Sequence, residues 1–371
     1  MMKKRYISKK KGLNNIIRAV DLFCGVGGLT HGLESTGINV VLGIDTDPAC
    51  AYPYSENNGA EFLLKSVEDV SAAELLPFLE GADVTLLAGC APCQTFSTYN
   101  QKANPSDRRW WLLEEFSRLV REVSPDIITM ENVPGLVKQE IFDHFVDELK
   151  SNDFNVNYRV VNCAEYGIPQ HRQRLVLLAS RLGPIKLLTP EEFGAPGQNV
   201  RDAIGHLPPI AAGEVHPEDP LHRSSALSKL NLRRIRSSRP GGTWRDWDST
   251  LIADCHKKSS GRTYPGVYGR MSWDEPAPTM TTQYYGFGNG RFGHPEQDRA
   301  ISLREGAILQ SFPPDYVFVP PGEEVYVKTV GRLVGNAVPV KLGEVIGKSI
   351  FEHLSVCTIF EKFRREKAEY A

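Results

Sequence analysis

No run in this chain of 371 residues approaches the roughly 18 consecutive apolar side chains that a membrane-spanning helix needs. A membrane partner is therefore not expected. The basic start MMKKRYISKKKG is not followed by a secretory apolar core, because Arg18 and Asp21 interrupt the stretch 16–24, which argues against a signal peptide. Seven cysteines are an odd number, and their spacings suggest no disulfide framework. Free thiols in a reducing, cytoplasmic setting fit them better. Internal repeats and coiled-coil heptads are also missing, which removes solenoids and long coiled coils. A formal net charge of -2 is too small for a chain that coats nucleic acid over its whole surface. It does not exclude a local basic face. Such a face is suggested between Leu221 and Arg245, where Arg223, Lys229, Arg233, Arg234, Arg236, Arg239 and Arg245 occur with no acidic residue.

What the chain does contain is the composition of a globular protein, 41% hydrophobic and 24% charged. Short Val-, Ile- and Leu-rich runs bounded by Gly, Pro or Asp read as buried strands: IIRAVDLFC, INVVLGID, ADVTLLAG, DIITMENV and RLVLLAS. LTHGLEST, AAELLPFLE, WWLLEEFSRLVREV and EIFDHFVDELK between them read as helices. This alternation predicts an α/β fold with a doubly wound, mostly parallel sheet and a ligand site at the carboxyl ends of its strands. The rhythm stops near Pro184. From there to about Gln283 the chain is rich in Pro, Gly, Ser and Arg, and Trp244, Trp247, Tyr264, Tyr268 and Trp273 supply a core for a second, smaller and irregular lobe. VKLGEVIGKSIFEHL then reads as a closing helix.

Two loops carry chemistry. The first strand runs through Phe23 and Cys24 into Gly25-Val26-Gly27-Gly28-Leu29-Thr30. Glycines there let backbone approach a ligand, and a helix N-terminus offers free N–H groups. Asp45 closes the next strand 20 residues after Gly25, where a carboxylate can hold ribose hydroxyls. A dinucleotide fingerprint would place Gly where Thr30 stands, so a nicotinamide oxidoreductase is disfavoured. The second loop, Gly89-Cys90-Ala91-Pro92-Cys93-Gln94-Thr95-Phe96-Ser97, follows the strand VTLLAG. A thiol at that edge suits nucleophilic chemistry. Cys90 and Cys93 form a C-x-x-C, but no second such pair exists for zinc. Cys90 reads as a structural thiol facing inward. The neighbouring strand ends in Glu131-Asn132-Val133-Pro134, and adjacent ends of a parallel sheet would bring carboxyl and thiol together. Arg172 and Arg174, two apart before a strand, would face one side, either as surface arginines or as ligand anchors.

Taken in order, DLFCGVGGLT, GCAPCQTFS, ENVPGL, QHRQRLVLLA and GNAVPV resemble the signature blocks of the cytosine-5 DNA methyltransferases of bacterial restriction-modification systems. RMSWDEPAPTMTT and HPEQDRAISLREGAILQSFPPDY are similar to a further block of that family. The resemblance spans about Val20 to Gly343 apart from the variable middle. It implies methyl transfer from S-adenosylmethionine to C5 of a flipped-out cytosine in a short double-stranded DNA sequence, with Cys93 adding to C6. It implies catalytic roles for Cys93, Glu131, Arg172 and Arg174, and a cofactor pocket of Phe23, Gly25, Gly27, Gly28, Asp45, Pro92, Asn336 and Val338. Gln94, Ser97, Arg233, Arg234, Arg236 and Arg239 are then expected at DNA, and no metal is required. A monomer at DNA in the cytoplasm would suffice, with a cognate restriction endonuclease of the same site as a candidate partner. The implied division is a catalytic domain of 1–185 plus 331–371 and a target-recognition domain of 186–330. Thr46, where the family often has an aromatic, and Ser66, usually an aspartate, depart from the pattern. RNA in place of DNA, and a catalytically silent DNA-binding relative, are the competing readings.

Overall fold

The computed structural model describes residues 17–92 and 111–357. Seven strands form one sheet in the order β3-β2-β1-β4-β5-β8-β6. They are β1 (Ile17–Leu22), β2 (Asn39–Asp45), β3 (Glu61–Leu64), β4 (Val84–Gly89), β5 (Ile127–Asn132), β6 (Asn155–Asn162) and β8 (Gln173–Ser180). The first five pair in parallel, and β8 runs antiparallel to both β5 and β6. A small parallel pair joins β7 (Gln170–His171) to β9 (Ala277–Pro278). The predicted doubly wound, mostly parallel α/β sheet is therefore observed.

Alternation along each strand divides the side chains between two layers. Ile17 and Ala19 of β1, with Val84, Leu86 and Ala88 of β4, face the helices Gly28–Thr36 and Val340–Val356. Val20, Leu22 and Leu87 face the opposite layer, built from Ala72–Leu79, Trp111–Val123 and Glu140–Ser151. In the last of these, Phe142, Phe145, Val146 and Leu149 are buried at helical spacing, which produces its single apolar stripe. Each such side chain removed from water contributes on the order of 1.5–3 kcal/mol, so the central strands are fixed from both faces.

From the end of β8 to about Gln283 the chain is irregular, with only short helices, as its composition predicts. Ile235, Trp244, Trp247, Leu251, Phe287 and Ala300 form a small cluster of their own. Trp273 packs edge-on against His294 at 5.1 Å. Tyr264 departs from its expected core role: it is 48% exposed and lines the cleft described below. A larger cluster mixes Val26 and Cys50 of the first lobe with Met280, Tyr284, Phe312, Tyr316 and Val334, so the base of the irregular region shares a core with the cofactor-loop side of the sheet.

Candidate active site

All the parallel strands end on the same side of the sheet, and a cleft of about 1660 Å³ opens there. Pockets for one small ligand run to roughly 300–1,000 Å³, so this one has room for a cofactor and a nucleotide together. One wall is the strand ends. The other is supplied by 279–289, 328–338 and part of the irregular region from Cys255 to Val267.

At one end of the cleft lies the loop after β1. Phe23, Gly25 and Gly27 all have positive φ, at 58°, 54° and 87°, a conformation that glycine adopts cheaply and phenylalanine does not. The loop is held by its surroundings. Cys24 N–H donates to the Ile44 carbonyl at 3.0 Å, and the Tyr316 hydroxyl donates to the Val26 carbonyl at 2.5 Å. Asp45 accepts the N–H of Gly25 at Oδ2 and the N–H of Asp47 at Oδ1, each at 2.9 Å. Its carboxylate is therefore oriented before any ligand arrives. An ion pair between Asp47 and Arg332 ties this corner to the helix Val327–Asn336.

Phe23, Gly25, Asp45, Pro92, Asn336 and Val338 all line the cleft. Gly27 and Gly28 do not, and a packing role accounts for them. A Cβ on Gly27 would lie 2.3 Å from the Asn58 side chain, and one on Gly28 would lie 2.2 Å from the Val338 carbonyl oxygen. A Cβ on Gly25 would meet nothing within 4 Å, so that is the position where the loop leaves space for a ligand.

Glu131, the penultimate residue of β5, lies at the other end of the cleft and is 2% exposed. Its Oε1 lies 2.7 Å from Arg174 Nε, and its Oε2 accepts from the Cys90 thiol at 2.9 Å. The Arg174 contact is close but misaligned as a hydrogen bond, which leaves Oε1 without an aligned donor among the described residues. Beside it, Asn132 Nδ2 donates to the Ala91 carbonyl at 2.9 Å, so β5 reaches across to the end of β4 twice. Cys93 follows Pro92 directly, but Cys93, Gln94 and Ser97 lie outside the described residues.

Arg172 and Arg174 both reach the cleft, yet they do different things. The alternation expected of one strand is interrupted, because the chain leaves β7 at His171 and enters β8 at Gln173. Arg172 is buried and donates to the carbonyls of Met280 (2.9 Å), Gly335 (3.2 Å) and Ala337 (3.2 Å). It thereby pins the turn carrying Asn336 and Val338. Burial, with the charge of Arg174 beside it, pushes its guanidinium down to about 9. Arg174 is the arginine that meets Glu131.

The basic stretch also divides. Arg233, Arg236 and Arg239 are exposed, the last two paired with Asp298 and Asp246. Arg234 is instead buried. Its Nε donates to the Leu251 carbonyl at 2.9 Å and its guanidinium lies 5.1 Å from the Tyr268 ring. Its charge is committed inside the lobe, which corrects the expectation that it contacts DNA. Two features of the site escaped the sequence reading. Cys90 is half-buried in the cleft wall with its thiol on Glu131, rather than facing inward. The strand register (Gly89 opposite Met130) was the signal that could have shown it. Asp47–Arg332 joins residues 285 apart and left no local trace.

The model of the C-5 cytosine-specific DNA methylase family matches residues 17–352. The type II methylase M.HgiDII of Herpetosiphon aurantiacus is 53% identical over 334 residues, covering 89% of this chain and 94% of its own length. The type II methyltransferase M.Eco47II of Escherichia coli is 30% identical over 363 residues, covering 94% and 82%. Among solved structures, a prophage-encoded E. coli protein described as a DNA modification methyltransferase aligns with a TM-score of 0.70. It has 22% identity over 91% of this chain and 99% of that one. The S. pombe Dnmt2 methyltransferase aligns with a TM-score of 0.62 at 18% identity, over 91% and 99%. The last two likenesses concern the fold.

Proposed function

Because this chain belongs to the C-5 cytosine-specific DNA methylases, and is a DNA cytosine-5-methyltransferase of the type II restriction-modification kind, we propose that it methylates a flipped-out cytosine within a short duplex sequence through a covalent Cys93 adduct, with S-adenosylmethionine as donor. The observation that carries this reading is the single cleft with a preoriented Asp45 and an open Gly25 at one end and Glu131 with Arg174 at the other.

The residues fit the cofactor. Asp45 presents a carboxylate fixed by two backbone N–H groups for a pair of ribose hydroxyls, Phe23 offers an apolar surface, and Pro92, Asn336 and Val338 close the pocket. Adenosylmethionine, when bound, supplies a methyl group carried on a sulfonium. The chain does the rest. Cytosine C5 is a poor nucleophile until the Cys93 thiolate adds to C6 and moves ring electrons toward C5. Glu131, on the N3 and N4 edge, delivers a proton to N3 as that charge develops, acting as a general acid. After methylation the C5 hydrogen leaves as a proton to a base, the Sγ–C6 bond breaks to restore the thiolate, and N3 returns its proton to Glu131. Arg174 holds Glu131 and Arg172 holds the Gly335–Ala337 turn. Extruding the base costs a few kcal/mol, offset by contacts from Gln94, Ser97, Arg233, Arg236 and Arg239. In this reading 1–185 plus 331–371 form the catalytic domain and 186–330 the target-recognition domain. A monomer acts on cytoplasmic DNA that a cognate endonuclease also recognises.

The test is to incubate the purified protein with adenosylmethionine and a random-sequence duplex and to map 5-methylcytosine at single-base resolution, beside Cys93→Ala. Methylation at one short motif, lost in the variant, is expected. Cofactor binding without DNA methylation would redirect the reading to RNA or to a silent regulator.

A further inference from the structure

The backbone of Cys90 is fixed from two sides. Its N–H donates to the Leu22 carbonyl at the end of β1 at 3.2 Å, and the next carbonyl, that of Ala91, is held by Asn132. The thiol therefore has little freedom beyond its own rotamer, and it donates to Glu131 Oε2 at 2.9 Å. On the other oxygen the Arg174 Nε lies at 2.7 Å without hydrogen-bond alignment. Arginine prefers to engage a carboxylate through two parallel N–H bonds, and that bidentate fork is stronger than a single contact. Arg174 Nη1 is committed to the Gln173 carbonyl at 2.7 Å, which leaves Nε and Nη2 for a fork, and the thiol on Oε2 opposes that fork.

We propose that Cys90 is a positioning residue for Glu131. It keeps the carboxyl turned out of a bidentate pair with Arg174, so that Oε1 stays available to the cytosine N3 and N4 edge. The proposal rests on the Glu131 role given above. Its consequence is specific: without the thiol, the carboxyl turns into the arginine fork, and base and cofactor still bind while the proton-transfer step loses its acid. The effect belongs in kcat and not in either KM. General acid catalysis contributes on the order of 10²–10⁴-fold, so losing part of that alignment should lower kcat by about tenfold to a hundredfold.

The experiment compares wild type, Cys90→Ala, Cys90→Ser and Glu131→Gln on a methylatable duplex, measuring kcat and both KM values, with thermal melts to confirm folding. The proposal expects Cys90→Ala to lose kcat by about tenfold or more with each KM within about twofold of wild type, and Cys90→Ser to recover most of it because a hydroxyl still donates. It is overturned if Cys90→Ala keeps full kcat, if serine rescues nothing, or if the loss lies in KM. An inactive wild type, or an active Glu131→Gln, would instead bring down the underlying role of Glu131.

Discussion

Asp21, at the end of β1, is 1% exposed and has a proton to manage. Its Oδ2 accepts from the Thr30 hydroxyl at 2.7 Å, and Thr30 Oγ1 in turn lies 3.0 Å from the Tyr54 hydroxyl. Its Oδ1 has no hydrogen-bond partner among the described residues. Burial, reinforced by the charge of Asp45 and opposed by Thr30, raises the carboxyl from 3.8 to about 7. A group whose folded value lies above its unfolded one favours the folded state most when protonated. Its contribution is therefore complete below about pH 4 and falls away as the pH rises toward 7. Asp21→Asn cannot ionise, so its Tm should show a flatter decline between about pH 4 and pH 7 than that of wild type. Parallel Tm-against-pH curves for the two proteins would show that Asp21 does not titrate in this range.

Among the elements, those buried on both faces were legible and the edges were not. β1, β2, β4, β5 and β8 stand out as apolar runs because neighbours cover them on both sides. β3 and β6 close the sheet, half-exposed, and the sequence NVNYRVVN of β6 leaves Tyr158 and Val160 in water. β3 (EFLL) is too short to mark itself as a strand, and β6 is too polar. The contact between the helices Gly28–Thr36 and Val340–Val356 was equally invisible, since it depends on what is missing. A Cβ on Gly32 would lie 2.2 Å from the Val340 carbonyl oxygen and 2.7 Å from both Gly343 Cα and the Glu344 nitrogen. These are backbone atoms that cannot turn aside. Gly32→Ala should therefore separate the helices at a cost of about 1–3 kcal/mol, read as a lower urea midpoint. Gly197→Ala, where an added Cβ meets nothing within 4 Å, is the control and should stay within about 0.5 kcal/mol of wild type.

Across the whole molecule, the net charge of -2 conceals a division of labour among the arginines that composition could not reveal. Counted along the chain, Arg233, Arg234, Arg236 and Arg239 look equivalent. Folding the helix Lys229–Arg236 turns Arg234 with Ile235 toward the Trp247–Tyr268 cluster and leaves Arg233 and Arg236 outside. The exposed pairs Arg236–Asp298 and Arg239–Asp246 are of the kind worth about 0–1 kcal/mol, weak enough for a phosphate to replace the carboxylate. Buried Arg234 holds the Leu251 carbonyl and the Asn231 side chain, and removing it strands those groups. The two classes should separate in a salt titration of duplex binding. Each phosphate contact contributes about 0.9 to the slope of log K against log salt. Arg233→Ala, Arg236→Ala and Arg239→Ala should each lower the slope by up to that amount while leaving Tm near wild type. Arg234→Ala should lower Tm and leave the slope of the remaining folded protein unchanged. A slope that ignores all three exposed arginines would place the duplex on another face of the lobe.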